Sequence, residues 1–150
     1  MPHSDKKMIS FFVTTACNLS CKYCYTNKYD FPKQKLSLEF AKLGIDDFFK
    51  NNDSKHIRFF GAGEPTIEFD LIKDIKNYAY KKAGEDLKVE IQTNGCFSRE
   101  VRDWLSKNAD IIWLLWDRPE EFQDFYRPFL GGKGASKFIE NNAKYLIKKQ

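Results

Sequence analysis

Three observations predict an α/β fold built on a parallel sheet. Short apolar stretches alternate four times with longer segments of helical pattern. Three of those four segments place apolar residues at i, i+4, i+7 and i+8, so each has one face to bury. Every chemically unusual motif follows directly on an apolar stretch, at the edge where parallel sheets with right-handed crossovers bind ligands.

Residues 9–14 (Ile-Ser-Phe-Phe-Val-Thr) read as the first strand. The stretch 14–25 after it holds Cys17, Cys21 and Cys24, three of the four cysteines, spaced C-x3-C-x2-C. Ser37 is the candidate N-cap of a helix through Lys50, with Ala41, Ile45, Phe48 and Phe49 on its apolar face. Residues 56–60 form a second strand, and Gly61, Ala62, Gly63, Glu64 and Pro65 come next. A helix over about 70–82 carries Leu71, Ile75, Tyr78 and Ala79 on one face. Residues 87–91 are a third strand, followed by Thr93-Asn94-Gly95. Ser98 caps a helix with Val101, Trp104 and Leu105 on one face. Residues 111–115 are a fourth strand, with Asp117 after it. A polar-aromatic segment, 118–134, leads to a last helix from about Ala135 to Lys149, with Ile139, Ala143, Leu146 and Ile147 as its stripe.

Composition narrows the function classes. A chain of 150 residues is long enough for a proper core, and 42% hydrophobic with 31% charged is ordinary for a soluble protein. The 14 Phe predict a Phe-rich core. The net charge of +4 is spread along the chain, which argues against a nucleic-acid surface. No apolar run approaches the ~20 residues of a membrane span, and no signal-type segment precedes Ile9. The expected compartment is the cytoplasm, where clustered thiols point to metal or catalysis rather than to disulfides.

Three thiolates from one short loop can hold three corners of an iron–sulfur cube and leave the fourth iron without a protein ligand. That open iron can bind and activate a small molecule. Zinc is the competing reading, but a structural zinc wants four ligands, usually as two knuckles. The fourth would have to be Cys96, His56 or His3, and none of these sits in a second knuckle. Cys96 reads as a buried thiol, and His56, Trp104, Trp113 and Trp116 as packing residues.

On Cys17, Cys21, Cys24 with Tyr23, the Gly61 to Pro65 turn and Thr93-Asn94-Gly95, the sequence resembles the radical S-adenosylmethionine (radical SAM) enzymes. It looks most like their peptide- and protein-modifying, SPASM or anaerobic sulfatase-maturase branch, an impression strengthened by residues 117–119, 124–128 and 131–134. The resemblance implies a partial (β/α)6 barrel, of which residues 1–150 with about four β/α units would be the N-terminal portion of the core domain. The apolar strand over 111–116 would then be a bare edge. It also implies two cofactors. A 4Fe–4S cluster sits on the three cysteines, and SAM chelates the fourth iron and is cleaved by one electron to a 5′-deoxyadenosyl radical. That radical takes hydrogen from a substrate, here a peptide or protein. An electron donor such as flavodoxin or ferredoxin is the other implied partner.

The implied SAM contacts can be placed residue by residue. Small Gly61, Ala62 and Gly63 allow close backbone approach, and Pro65 fixes the turn. Glu64 or exposed backbone carbonyls accept from the SAM ammonium. Tyr23 is suited to the adenine, and Asn94 reaches the same ligand. Arg127 matches the carboxylate, or else forms a surface salt bridge. The branch usually has Ser-x-Asp-Gly after its fourth strand, where this chain has Leu115, Trp116, Asp117 and Arg118. The Ser hydroxyl is missing, so Asp117 serves the ribose or only caps a turn. That departure and the missing barrel half favour a second reading: a non-catalytic module that binds an iron–sulfur cluster or zinc.

Overall fold

The computed structural model describes residues 7–29 and 32–149. Its sheet has four strands in the order β1 (Ile9–Phe12), β2 (His56–Phe60), β3 (Lys88–Thr93) and β4 (Ile111–Leu114). All three pairings are parallel, with Phe11 opposite Phe59, Ile57 opposite Val89 and Ile91 opposite Ile112. The helices are α1 (Tyr25–Lys28), α2 (Leu38–Asn51), α3 (Phe69–Ala83), α4 (Arg99–Asn108), α5 (Glu120–Tyr126) and α6 (Ser136–Lys149). The predicted caps form: Ser37 Oγ accepts from Phe40 N at 3.1 Å and Ser98 Oγ from Val101 N at 3.3 Å.

The pleat sorts the sheet into two faces. Phe11, Ile57, Phe59, Val89 and Ile91 point one way and are buried against Ala41 and Ile45 of α2, Ile72 and Ile75 of α3, and Leu105 of α4. Each such aliphatic side chain contributes about 1.5–3 kcal/mol of burial free energy. The core is not Phe-rich as expected. Phe11, Phe59 and Phe97 join it, but Phe12, Phe40, Phe122, Phe125 and Phe138 are exposed. Alternate strand positions and outward helix faces took the rings, while β-branched residues filled the space between sheet and helices.

The other face of the sheet is open. It carries Phe12 packed at a tilt against Phe60 (centroids 4.2 Å apart) and a polar cluster around Glu90. Glu90, buried in the centre, faces Arg58 Nε at 3.2 Å and His56 Nε2 at 3.1 Å, and accepts from Trp113 Nε1 at 2.7 Å. His56 is a packed residue, as expected. Trp113 is not: its ring is 56% exposed on this face and only its N–H is engaged.

Two connections carry structure that motifs and periodicity did not mark. Residues 34–36 return antiparallel beside 13–15, through Leu36 N to Val13 O (2.9 Å) and Thr15 N to Gln34 O (3.0 Å). The segment 118–134 contains α5, which the apolar periodicity did not reveal. That helix turns Phe122, Phe125 and Tyr126 outward and buries Gln123. An inverted pattern of this kind hides a helix from any search for a buried apolar stripe.

Candidate functional site

The four motifs converge at the carboxyl ends of the strands. The cysteine-bearing turn after β1 is held from two sides. On the β2 side, Gly63 N donates to Thr14 O (3.1 Å) and Glu64 N to Ala16 O (2.8 Å). A Cβ on Gly63 would collide with the Ala16 carbonyl, so this glycine is required by the cysteine turn itself. From the other side, the strap after α5 pairs with it: Ser20 N donates to Pro128 O and Lys22 N to Tyr126 O, both at 2.8 Å. Leu19 anchors the turn, buried with Cys96, Ala135 and Ile139.

The three thiols are half-exposed. Cys17 Sγ receives Leu19 N at 3.5 Å, with Asn94 Nδ2 at 3.8 Å. Cys24 Sγ lies 2.8 Å from Thr26 Oγ1, which reaches Ala62 O at 3.2 Å. Cys21 is hydrogen-bonded by Arg127. Burial pushes the Cys17 and Cys21 thiols up; the Arg127 guanidinium works against this at Cys21, and the Leu19 N–H at Cys17. Cys96 is buried with its thiol pushed up to about 12, as a packing thiol should be. Among the described residues no three His, Cys, Asp or Glu side chains are grouped to hold a single ion.

Glu64 has turned inward. It is 2% exposed; Oε1 accepts from Thr66 N (3.1 Å), Thr66 Oγ1 (2.6 Å) and Thr93 Oγ1 (2.7 Å), and Oε2 from Asn94 N (2.7 Å). Burial pushes its carboxyl up, and these four donors oppose the shift. Glu64 therefore joins the ends of β2 and β3, and Pro65 behind it opens a short 3-10 turn. Asn94 Oδ1 accepts from Cys96 N at 2.8 Å, and its Nδ2 donates to Asn18 Oδ1 at 2.8 Å. Gly61 and Ala62 line the same turn, half-exposed.

At β4 the Tyr23 hydroxyl donates to Asp117 Oδ2 at 2.8 Å, and Asp117 Oδ1 lies 3.7 Å from Arg127 Nη1. Burial and that hydrogen bond push the Tyr23 phenol up to about 12, while its ring remains 61% exposed. Arg127 is 4% exposed and its Nε has no partner. It is a buried cation, ion-paired at 3.7 Å with the partly exposed Asp117. Leu115 is exposed, and Arg118 lies over the Trp116 ring at 4.8 Å. Motif reading had no role for Asn18, Thr26, Thr66, Thr93 or Gln123. Thr66 and Thr93 flank Glu64 and Asn94 and could have been found as their partners, whereas Gln123 carries no signal in the sequence.

A cleft of ≈ 670 Å³ opens at the opposite edge of the sheet, between Asn52, His56 and Lys88. That edge holds none of the motifs, and in barrel-like sheets it serves stability.

Residues 11–150 match the model of the radical SAM superfamily. The chain belongs to that superfamily. Its sequence relatives include an uncharacterised protein of Methanocaldococcus jannaschii, 32% identical over 83% of this chain and 43% of that protein. A putative glycyl-radical enzyme activating enzyme of the same organism is 29% identical over 95% and 55%. A cysteine-type anaerobic sulfatase-maturating enzyme of Clostridium novyi is 27% identical over 93% and 41%. The chain thus spans about half the length of these relatives, or less. The solved structure of anSMEcpe with bound AdoMet and a peptide superposes with a TM-score of 0.80 at 21% identity, over 96% of this chain and 40% of that one. This likeness shows the fold, a partial barrel of the radical SAM type.

The cofactors of radical SAM proteins are a 4Fe–4S cluster and SAM, and the donor set here fits them. Three thiols from one turn supply three corners, N–H groups point at Cys17, and a buried cation stands at Cys21. No helix among the described residues is long and apolar enough to cross a membrane.

Proposed function

We propose that Cys17, Cys21 and Cys24 hold a 4Fe–4S cluster and that the rim around them binds SAM for radical chemistry on a peptide or protein. The chemistry the bound pair supplies is one-electron cleavage of SAM and hydrogen abstraction from the substrate. The observation that carries this reading is a buried, incompletely partnered Arg127 beside Cys21 on the rim shared by all three thiols. A guanidinium in that state suits a carboxylate.

This chain's residues divide the work. Arg127 takes the SAM carboxylate. Glu64 is committed to β3, so the carbonyls of the turn at Gly61, Ala62 and Gly63 receive the ammonium. Tyr23, its hydroxyl fixed by Asp117, offers an exposed ring to the adenine. Asn94 steadies Cys17 and borders the ligand. Asp117 fixes Tyr23 and serves the ribose in place of the usual Ser, whose position is Leu115 here. Peptide or protein substrates are supported by relatives named as a sulfatase-maturating enzyme and a glycyl-radical enzyme activating enzyme. The reducing donor is proposed to be a flavodoxin or ferredoxin, and the compartment the cytoplasm.

Anaerobic reconstitution with iron and sulfide tests the reading. About four irons per chain and 5′-deoxyadenosine formation on reduction with SAM are expected. Tight zinc without a cluster overturns it. Leu115 and Arg118, standing where the branch has Ser and Gly, favour a second reading, a cluster-binding module without turnover. A stable cluster with no SAM cleavage would select that one.

A further inference from the structure

Gln123 is completely buried, and on α5 it occupies a place where an apolar residue would ordinarily go. The same helix leaves Phe122, Phe125 and Tyr126 exposed. Burying an amide while exposing three rings is unfavourable unless the amide is used. Its contacts show the use. Gln123 Oε1 accepts from Asp117 N at 3.0 Å, and Nε2 reaches Arg127 O at 3.4 Å. The Gln123 carbonyl accepts from Arg127 N at 2.8 Å. One residue therefore ties the end of β4, through Asp117, to the strap that carries Arg127.

Arg127 needs such a tie. Its guanidinium is buried and hydrogen-bonded to Cys21, its Nε is unpartnered, and its ion pair with Asp117 stays 3.7 Å long at Nη1, beyond a direct hydrogen bond. A buried cation this close to a carboxylate gains by closing the gap. Closing it would neutralise the guanidinium against its own chain. The spacing is set by the backbones of Asp117 and Arg127, and Gln123 bonds to both.

We propose that Gln123 is a positioning residue that holds Arg127 apart from Asp117, so that the guanidinium stays open to the carboxylate of the bound ligand. This rests on the reading of Arg127 as the SAM carboxylate partner. Loss of Gln123 lets Arg127 settle onto Asp117, and the site loses its affinity for a carboxylate while keeping its fold and its cysteines.

The test is SAM binding by equilibrium dialysis to the reconstituted, oxidised protein, counted per cluster, with decarboxylated SAM as a second probe. Gln123→Met is expected to weaken SAM by about tenfold, the scale of one lost oriented interaction, and to leave decarboxylated SAM unchanged. Gln123→Asn keeps the amide but is one methylene short of bridging; it should show the same carboxylate-specific loss and serves if the Met variant fails to fold. Equal weakening of both probes would mean a merely structural role and overturn the proposal. So would unchanged SAM binding in the Gln123 variants while Arg127→Met weakens it. If Arg127→Met itself leaves SAM binding unchanged, the carboxylate reading falls, and the proposal falls with it.

Discussion

Two buried glutamates, one within β3 and one in the turn after β2, are handled in opposite ways. Glu90, in the middle of the open face, is met by cationic or ionisable partners, Arg58 and His56, together with the Trp113 N–H. Glu64, at the rim, is met only by neutral donors: two hydroxyls and two backbone N–H groups. The difference follows from what each must do. Glu90 ties three strands side by side, and charge pairing serves that well. Glu64 stands among the cysteines, where its charge pushes the Cys17 thiol up. A cation beside Glu64 would compete with Arg127 for any incoming carboxylate. Neutral donors let Glu64 lock two loops and leave Arg127 as the cation at the thiols.

The comparison can be broken at several points, and the largest effect belongs to the thiols. Cys21→Ala should abolish the cluster, dropping iron from about four per chain to a small remainder, as iron and sulfide analysis would show. A variant that still holds a stable cluster and cleaves SAM would remove the ligand assignment. Gly63→Ala comes next, since its Cβ meets the Ala16 carbonyl and one of two backbones must move. Urea unfolding should show a loss of about 3 kcal/mol, the cost of overpacking against an unyielding wall, and cluster loading should fall with it.

The two glutamates then test the comparison directly. Glu90→Gln should cost roughly 2–3 kcal/mol, below the usual cost of breaking a fully buried pair because the Arg58 side chain is 28% exposed. Cluster content per folded chain should not change. Glu64→Gln turns one acceptor into a donor facing Asn94 N–H, at a cost of about 1–2 kcal/mol, and here cluster loading should fall. If Glu90→Gln loses cluster as readily as Glu64→Gln, the division between face and rim is wrong.

The smallest effect is in pH. Burial lowers the His56 pKa below its ordinary 6.5, against the pull of Glu90. A depressed folded value means its contribution is present above 6.5 and is lost as pH falls through the folded value. Glu64 has the opposite sign. Its pKa is raised above 4.5, so its contribution is complete below that value and is lost as pH rises through the folded one. Stability profiles of His56→Asn and Glu64→Gln against the parent protein should therefore differ from it at opposite ends of the pH scale.

Much of the architecture was legible because it rests on local patterns. Ser37 and Ser98 cap their helices as read, and Ala41 and Ile45 of α2 and Leu71, Ile75 and Ala79 of α3 are buried as periodicity marks, joined by the unmarked Ile72, while Phe48, Phe49 and Tyr78 are half-buried. Parallel pairing followed from strand–helix alternation, and the sequential order β1 to β4 is that of the barrel the resemblance implied. Trp113 and the phenylalanines were misplaced for a different reason. An aromatic ring satisfies strand propensity on either face, and which face is open depends on where the helices pack. The helix α5 was missed because its buried residue is polar.

The sequence by itself determined the strands, the caps, the three thiols on one turn and the motifs following each strand, because each depends on neighbours a few residues away. Only the tertiary structure decided that Glu64 faces inward, that residues 126–130 strap the cysteine turn, and that Arg127 is buried beside Cys21 under the hold of Gln123. Several of those contacts join residues more than a hundred positions apart, as Ser20 N with Pro128 O. They exist because parallel crossovers bring every strand's carboxyl end to one rim, and a buried polar group there must find its partner across that rim.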